Sequence, residues 1–243
     1  MTVLVLGGTA EARELAAALA VEPGLRVVSS LAGRVARPRL PAGEVRVGGF
    51  GGPEGLAAWL QEHDVAAVVD ATHPFAEQIS ANAIAACART GTPLLRLERE
   101  GWRPRAGDRW RWVADVDEAS RTFEHGARVL LTTGRQGLHA FAHRDDAWFL
   151  IRCVDAPQPP LPEHHELLLD RGPYTLEGEL ALIDAHAIDI VVTKDSGGPH
   201  TQAKLDAARE RGLPVVVVRR PARAEVTTLT SVDGALRWAR HHG

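Results

Sequence analysis

The sequence predicts an α/β protein of two lobes, each built on a parallel sheet, with a ligand cleft between them. Three observations predict this. Short β-branched runs alternate with alanine- and leucine-rich stretches of helical period along most of the 243 residues. The alternation breaks over Glu98–Asp108 and then starts again. Motifs rich in glycine, hydroxyl and basic residues recur at the carboxyl ends of strands, two in each half, where open parallel sheets bind ligands.

In the first half, Val3–Leu6, Val27–Ser30, Val65–Asp70 and Leu94–Leu97 read as strands, with Val45–Gly48 a shorter one. Ala10–Leu19, Gly55–Gln61 and Glu77–Ala88 carry apolar residues at helical spacing. The aperiodic stretch EREGWRPRAGD reads as a crossover and divides the chain into domains 1–100 and 101–243. Strands follow at Arg111–Val113, Val129–Thr132, Trp148–Ile151, Ile188–Thr193 and Val215–Val218. Helices are expected at Val116–Glu124, Gln136–Ala142, Tyr174–His186 and Thr201–Arg211. The prolines of Asp155–His165 lack backbone donors and fix φ, so this stretch reads as a long loop, one that could close over a ligand.

Composition narrows the function. A net charge of −3 gives no global basic field for nucleic acid. Cys87 and Cys153 stand in no CxxC or metal-like spacing, which fits a reducing compartment and no disulfide scaffold. No apolar stretch approaches the roughly 18 residues that span a bilayer, and a cytoplasmic protein is expected. Of 28 basic residues only Lys194 and Lys204 are lysine, and both fall in one segment. In a background that favours arginine, they mark positions where an ammonium is wanted.

The first motif, GGTAEAR, runs from a strand through Gly7 and Gly8 into a helix beginning near Thr9 or Ala10. Such a turn can seat a phosphate against backbone N–H groups and a helix N-terminus. The spacing is not GxGxxG, so a plain strand-to-helix turn stays open. The second strand ends in SSLAGR without a carboxylate for ribose hydroxyls. Ser30 and Arg34 suit the 2′-phosphate of NADPH, unless Arg34 is merely a surface arginine. In DATHPF, Pro74 keeps Thr72 and His73 out of helix. His73 could bind a carboxylate or donate a proton, or could be structural.

In the second half, TKDSGGPHTQAK delivers Lys194 to a strand end, turns at Gly197 and enters a helix that carries Lys204. With Ser196 these make an anion site; a capped helix start with two solvated lysines is the plainer alternative. Arg135 in TTGRQGL reads as a second anion contact. His139 and His143 have the i,i+4 spacing of two metal ligands but no third, so no metal is expected. His164–Glu166 and His241–His242 read as polar surface. No GxSxG is present, and Tyr174, the single tyrosine, has no lysine four places on, which removes hydrolase and Tyr/Lys reductase chemistry.

In their order, LGGTAEAR, SLAGR, GGFGG, DATHPFAEQIS, LLRLERE and TKDSGG resemble the precorrin-6A reductase family, from Val3 to about Arg220. The resemblance implies two Rossmann-like domains that exchange terminal strands, one for NADPH and one for a tetrapyrrole, and reduction of one macrocycle double bond. It implies that Gly7, Gly8, Thr9 and Ala10 cradle the pyrophosphate and that Ser30 and Arg34 read the 2′-phosphate. Gly49, Phe50, Gly51 and Thr72 would lie along the coenzyme. His73, Arg135, Lys194, Ser196, Gly197 and Lys204 would hold tetrapyrrole carboxylates. His73 and then Lys194 are the catalytic acid candidates, beside water. The implied partners are the tetrapyrrole and the next pathway enzyme, to which product is handed over, with no nucleic acid and no membrane. Whether the ring carries cobalt is left open, as are a non-catalytic two-lobed nucleotide or anion sensor and an α/β enzyme acting on another metabolite.

Overall fold

The computed structural model describes residues 1–33 and 39–242. Among them the chain forms two compact units. Met1–Glu100 and Pro221–Gly243 make the first, and Gly101–Arg220 the second. A break near residue 100 is therefore present, but the domain expected over 101–243 ends at Arg220. The last residues return to the first unit.

The first unit holds one six-stranded sheet. Its strands are β1 (Thr2–Leu6), β2 (Arg26–Leu31), β3 (Glu44–Val47), β4 (Val65–Asp70), β5 (Leu94–Leu97) and, from the far end of the chain, β12 (Thr228–Leu229). Their order is β12-β5-β4-β1-β2-β3, and every pairing is parallel. That is the Rossmann order, with its switch point between β1 and β4. Every residue of β1 is buried, as a central strand covered on both faces requires. One face packs α1 (Ala10–Ala20) and α7 (Val232–His242), through Leu15, Leu19, Ala235 and Ala239, on Val3, Val5 and Val69. The other packs α2 (Gly52–Glu62) and α3 (Glu77–Thr90), through Leu56, Leu60, Ala83 and Ala86, on Leu4, Leu6 and Val28.

The second unit repeats the plan with β6 (Arg109–Val113), β7 (Arg128–Thr132), β8 (Trp148–Cys153), β9 (His165–Leu169), β10 (Ile190–Lys194) and β11 (Pro214–Val218). The order is β6-β11-β10-β7-β8-β9, again wholly parallel. One face carries α5 (Leu176–Ala185) and α6 (Ala203–Glu210) over Leu130, Leu150, Val191 and Val215. Elsewhere Phe123, Phe141 and Phe149 form an aromatic cluster. In each sheet the sixth strand comes from out of sequence order. β12, after the second unit, completes the first sheet, and β6, before the rest of its own unit, completes the second.

Several expected elements change in extent. The helix expected over Val116–Glu124 shrinks to α4 (Val116–Ala119), and that over Gln136–Ala142 to a single 3-10 turn, Leu138–Phe141. Gly134 and Gly137 have φ of 75° and 95°, which keeps the chain out of helix until Leu138. The proline-rich loop ends a residue early, because His165 already pairs with Phe149 as the first residue of edge strand β9.

Candidate functional site

In the first unit the informative residues gather where β1, β2, β3 and β4 end. β1 stops at Gly7, whose N–H donates to the Ser30 carbonyl at 2.9 Å. Gly8 has φ of 119°, a value that favours glycine, and space is open around it. Thr9 then caps α1. Its hydroxyl accepts from the Ala12 N–H at 3.1 Å and donates to the Ala71 carbonyl at 2.8 Å, tying the β1 turn to the end of β4. Ala10 opens the helix. The remaining N–H groups and dipole of this helix start can receive an anion.

The β2 end presents two serines to opposite faces, because strand side chains alternate. Val27, Ser29 and Leu31 face α1, whereas Val28 and Ser30 face α2. Arg34 lies outside the described residues. After β3 the chain runs through Gly48, Gly49 and Phe50 to Gly51, the residue before α2, with φ of 83°. Arg46 organises this loop. Its guanidinium donates to the Gly48 and Gly49 carbonyls at 2.6 and 2.7 Å and lies 3.8 Å from the Phe50 ring centre. A side chain at Gly55 would overlap the Phe50 carbonyl, so the loop folds against α2 only with glycine there.

At the end of β4, Asp70 is buried and accepts from the Thr72 hydroxyl at 2.6 Å and its N–H at 3.2 Å. The Thr72 hydroxyl, expected along the coenzyme, thus serves the turn itself. His73 is half-buried, and its Nδ1 accepts from the Phe75 N–H at 3.3 Å. A neutral ring in this state carries its proton on Nε2. Arg223 crosses from the returning segment to donate to the His73 carbonyl at 3.0 Å and to the Pro74 carbonyl, and it pairs with Glu98 at 3.0 Å.

In the second unit, Lys194 is half-buried at the end of β10 and donates to the Gln136 carbonyl at 3.2 Å, joining it to the loop that carries exposed Arg135. Ser196 turns tightly, its N–H donating to the Lys194 carbonyl at 2.7 Å, and Gly197 follows with φ of 64°. Asp195 is buried beneath this turn. It accepts from the Trp102 N–H at 2.9 Å and lies 3.3 Å from the Arg220 guanidinium. Trp102 also donates from its indole to the Gly198 carbonyl at 3.1 Å. The loop between β10 and α6 is therefore held from below.

Lys204 departs from expectation. It is 3 % exposed, packed 4.7 Å from the Trp102 ring centre, with its ammonium donating to the Thr201 carbonyl at 2.6 Å. Burial pushes its pKa down to about 7, the nearby Arg152 guanidinium adds to this, and Glu179 opposes it. Arg152 and Glu179 form a buried pair at 2.5 Å, with Arg152 stacked 3.9 Å from the Tyr174 ring. Lys204 thus belongs to an internal charged cluster, apart from half-buried Lys194 and exposed Arg135. Among the described residues, no group of three metal-ligating side chains is assembled.

The profile of the family described as precorrin-6x reductase CbiJ/CobK matches residues 2–240. The chain belongs to this family. The precorrin-6A reductase of Rhodococcus erythropolis is 53% identical over 238 residues, covering 97% of this chain and 96% of that one. The cobalt-precorrin-6A reductase of Priestia megaterium is 32% identical, covering 90% of each. A solved structure of a CobK precorrin-6A reductase superposes with a TM-score of 0.94 at 43% identity, covering 100% of this chain and 97% of that one. A precorrin-6x reductase is an oxidoreductase, and two six-stranded parallel-sheet units are the fold this family member shares with CobK.

For this reductase, sequence motifs locate the turns but miss what supports them. The structure brings Gly7, Gly8, Thr9, Ala10 and Ser30 to neighbouring strand ends of one sheet, and Lys194, Ser196, Gly197 and Arg135 to neighbouring ends of the other. It removes Lys204 to the interior. Arg46, Asp195, Trp102 and Arg223 were not singled out. Asp195, inside the TKDSGG motif, and Trp102, two residues after LLRLERE, carried a signal.

Proposed function

We propose that the protein reduces one double bond of precorrin-6A in cobalamin biosynthesis, with NADPH as hydride source. The observation that carries this is the match of the whole chain, at 53% identity, to a relative named precorrin-6A reductase. The relative named for the cobalt-bearing substrate is much more distant, at 32%, which favours a ring without cobalt.

The first unit takes the coenzyme. Backbone N–H groups after β1 receive its pyrophosphate, and the Gly49–Phe50–Gly51 loop lets its nicotinamide end pass close to backbone. The orphaned Ser29 hydroxyl beside this turn fits a unit that expects a polar ligand. The second unit takes the macrocycle, whose carboxylates pair with Lys194 and Arg135 and accept from the Ser196–Gly197 turn. The coenzyme supplies the hydride, so the chain's work is orientation and electrostatics. For the accompanying proton, His73 is the first candidate, Lys194 the second and water the third.

Mass spectrometry of the product formed with NADPH deuterated at the transferring position tests the reading. One deuterium in the macrocycle is expected. Reduced product without label would remove direct hydride transfer from NADPH.

A further inference from the structure

Lys204 is absent from the row of carboxylate contacts, and its surroundings in the second unit give it a different task. It lies beside the turn between β10 and α6, whose Ser196–Gly197 stretch is assigned above to the macrocycle. Three carbonyls late in that turn each meet a donor. The Trp102 indole donates to Gly198 at 3.1 Å, the Tyr174 N–H to His200 at 3.4 Å, and the Lys204 side chain to Thr201 at 2.6 Å. Trp102 links the start of the turn to Lys204, because its backbone N–H holds Asp195 and its ring lies 4.7 Å from the lysine nitrogen.

An ammonium has three protons to donate, and Thr201 supplies the one acceptor that Lys204 meets among the described residues. Two charged side chains face it from neighbouring elements, Arg152 of β8, which repels a positive charge, and Glu179 of α5, which attracts it. These two are buried and paired with each other, and Tyr174 stacks on Arg152. The other carboxylate oxygen, Glu179 Oε2, is buried with no hydrogen-bond partner among the described residues. Such an orphan is costly, and a lysine proton is the donor it lacks. With Lys204 neutral, the three side chains carry no net charge. With Lys204 protonated they carry one positive charge, which an anion held on the turn would offset. Burial and Arg152 bring its pKa down to about 7, so both states are accessible near neutral pH.

We infer that Lys204 is a positioning residue for the reduction, taking up a proton from solvent as the polycarboxylate macrocycle settles on the β10–α6 turn. The ammonium then joins the Thr201 carbonyl to the unpaired Glu179 oxygen and stiffens the turn, because charged donors make stronger bonds. The inference rests on the assignment of the macrocycle to the second unit, and the test separates the two.

Lys194 and Lys204 are the two lysines of the chain, so labelling lysine with 13C at the ε position gives two NMR signals. The intact protein is titrated between about pH 6 and 10, alone, with NADPH alone, and with precorrin-6A in the absence of coenzyme. Lys194→Arg or Lys204→Met assigns the signals in the free protein, and either variant suffices. The Lys204 midpoint is expected near 7 in the free protein and with NADPH. With precorrin-6A it should rise by about one pH unit or more. In steady state, the KM for precorrin-6A should rise several-fold from neutral to alkaline pH while that for NADPH stays level. Lys204→Met should abolish this rise, and His200→Gln, at the exposed histidine of the same turn, should leave it in place. A Lys204 midpoint that bound precorrin-6A leaves unmoved would overturn the inference while sparing the assignment of the macrocycle. A free-protein midpoint at the ordinary value for lysine would do the same. A midpoint that moves with NADPH and not with precorrin-6A would overturn both.

Discussion

The Arg223 guanidinium donates to the backbone carbonyl of His73 at 3.0 Å, across 150 residues of sequence. Arg223 belongs to the segment that re-enters the first unit, and His73 to the turn that follows β4. The same guanidinium reaches Pro74 and pairs with Glu98, while Arg96 one strand away donates to the Ala224 carbonyl at 3.3 Å. The return of the chain and the shape of the His73 turn are one structural fact.

Removing that clamp should loosen the turn before it unfolds the unit. Hydrogen bonds from a charged donor contribute about 1.5–3 kcal/mol. Arg223→Ala is therefore expected to lower the urea midpoint by a corresponding amount and to reduce turnover, with NADPH affinity changing less. Arg223→Lys, which keeps the charge but loses the fork, should fall between. Wild-type turnover in Arg223→Ala would detach the turn geometry from the reaction.

Thr9 links two strand ends with one hydroxyl. Thr9→Val removes both the cap on α1 and the donor to Ala71, leaving a buried carbonyl unpaired. A loss of about 2–3 kcal/mol in stability is expected from denaturant unfolding. Thr9→Ser should recover most of it. Wild-type stability in Thr9→Val, which keeps the γ-methyl and lacks only the hydroxyl, would contradict the role given to these two bonds.

Lys204 makes a pH-dependent prediction. Its pKa falls from 10.5 unfolded to about 7 folded, so between these values the unfolded chain binds more protons. Stability from this residue therefore rises as pH increases from 7 towards 10 and is flat below 7. Urea midpoints of wild type and Lys204→Met should diverge in favour of wild type as pH rises from 7 to 9. A difference independent of pH would place the charged ammonium in the folded interior throughout.

Gly101 sits against Asp195 so closely that an added Cβ would come within 2.5 Å of its carboxylate. Gly101→Ala should push Asp195 off the Trp102 N–H and disturb the loop that carries Lys194. Tetrapyrrole affinity is expected to fall more than NADPH affinity, and Trp102 fluorescence should shift. The opposite ranking would contradict the assignment of the macrocycle to the second unit.

These cases show what the sequence could convey. β1 and β4 were legible because buried parallel strands are written as unbroken apolar runs, and Gly7, Gly8 and Pro74 punctuate them. β12 was not, because two residues, Thr228 and Leu229, are too few to show a period, and their partner β5 is remote in sequence. α7 did carry a signal that went unread: Val232, Ala235, Leu236 and Ala239 recur at helical spacing and pack on the sheet with α1. Lys204 was expected in the anion site because lysine is rare in this chain, and rarity says nothing of burial. Its i,i+4 partner Ala208 is also buried, so that helix face points inward. Arg223 is one arginine in a chain full of them, and only the tertiary fold distinguishes it.

The most direct test of the account is the absorbance of NADPH followed with purified protein and precorrin-6A under anaerobic conditions, with NADH and the cobalt-bearing substrate in parallel. The account predicts NADPH oxidation matched by loss of precorrin-6A, with slower reaction for NADH and for the cobalt-bearing ring. Tight NADPH binding with no oxidation in the presence of precorrin-6A would contradict it.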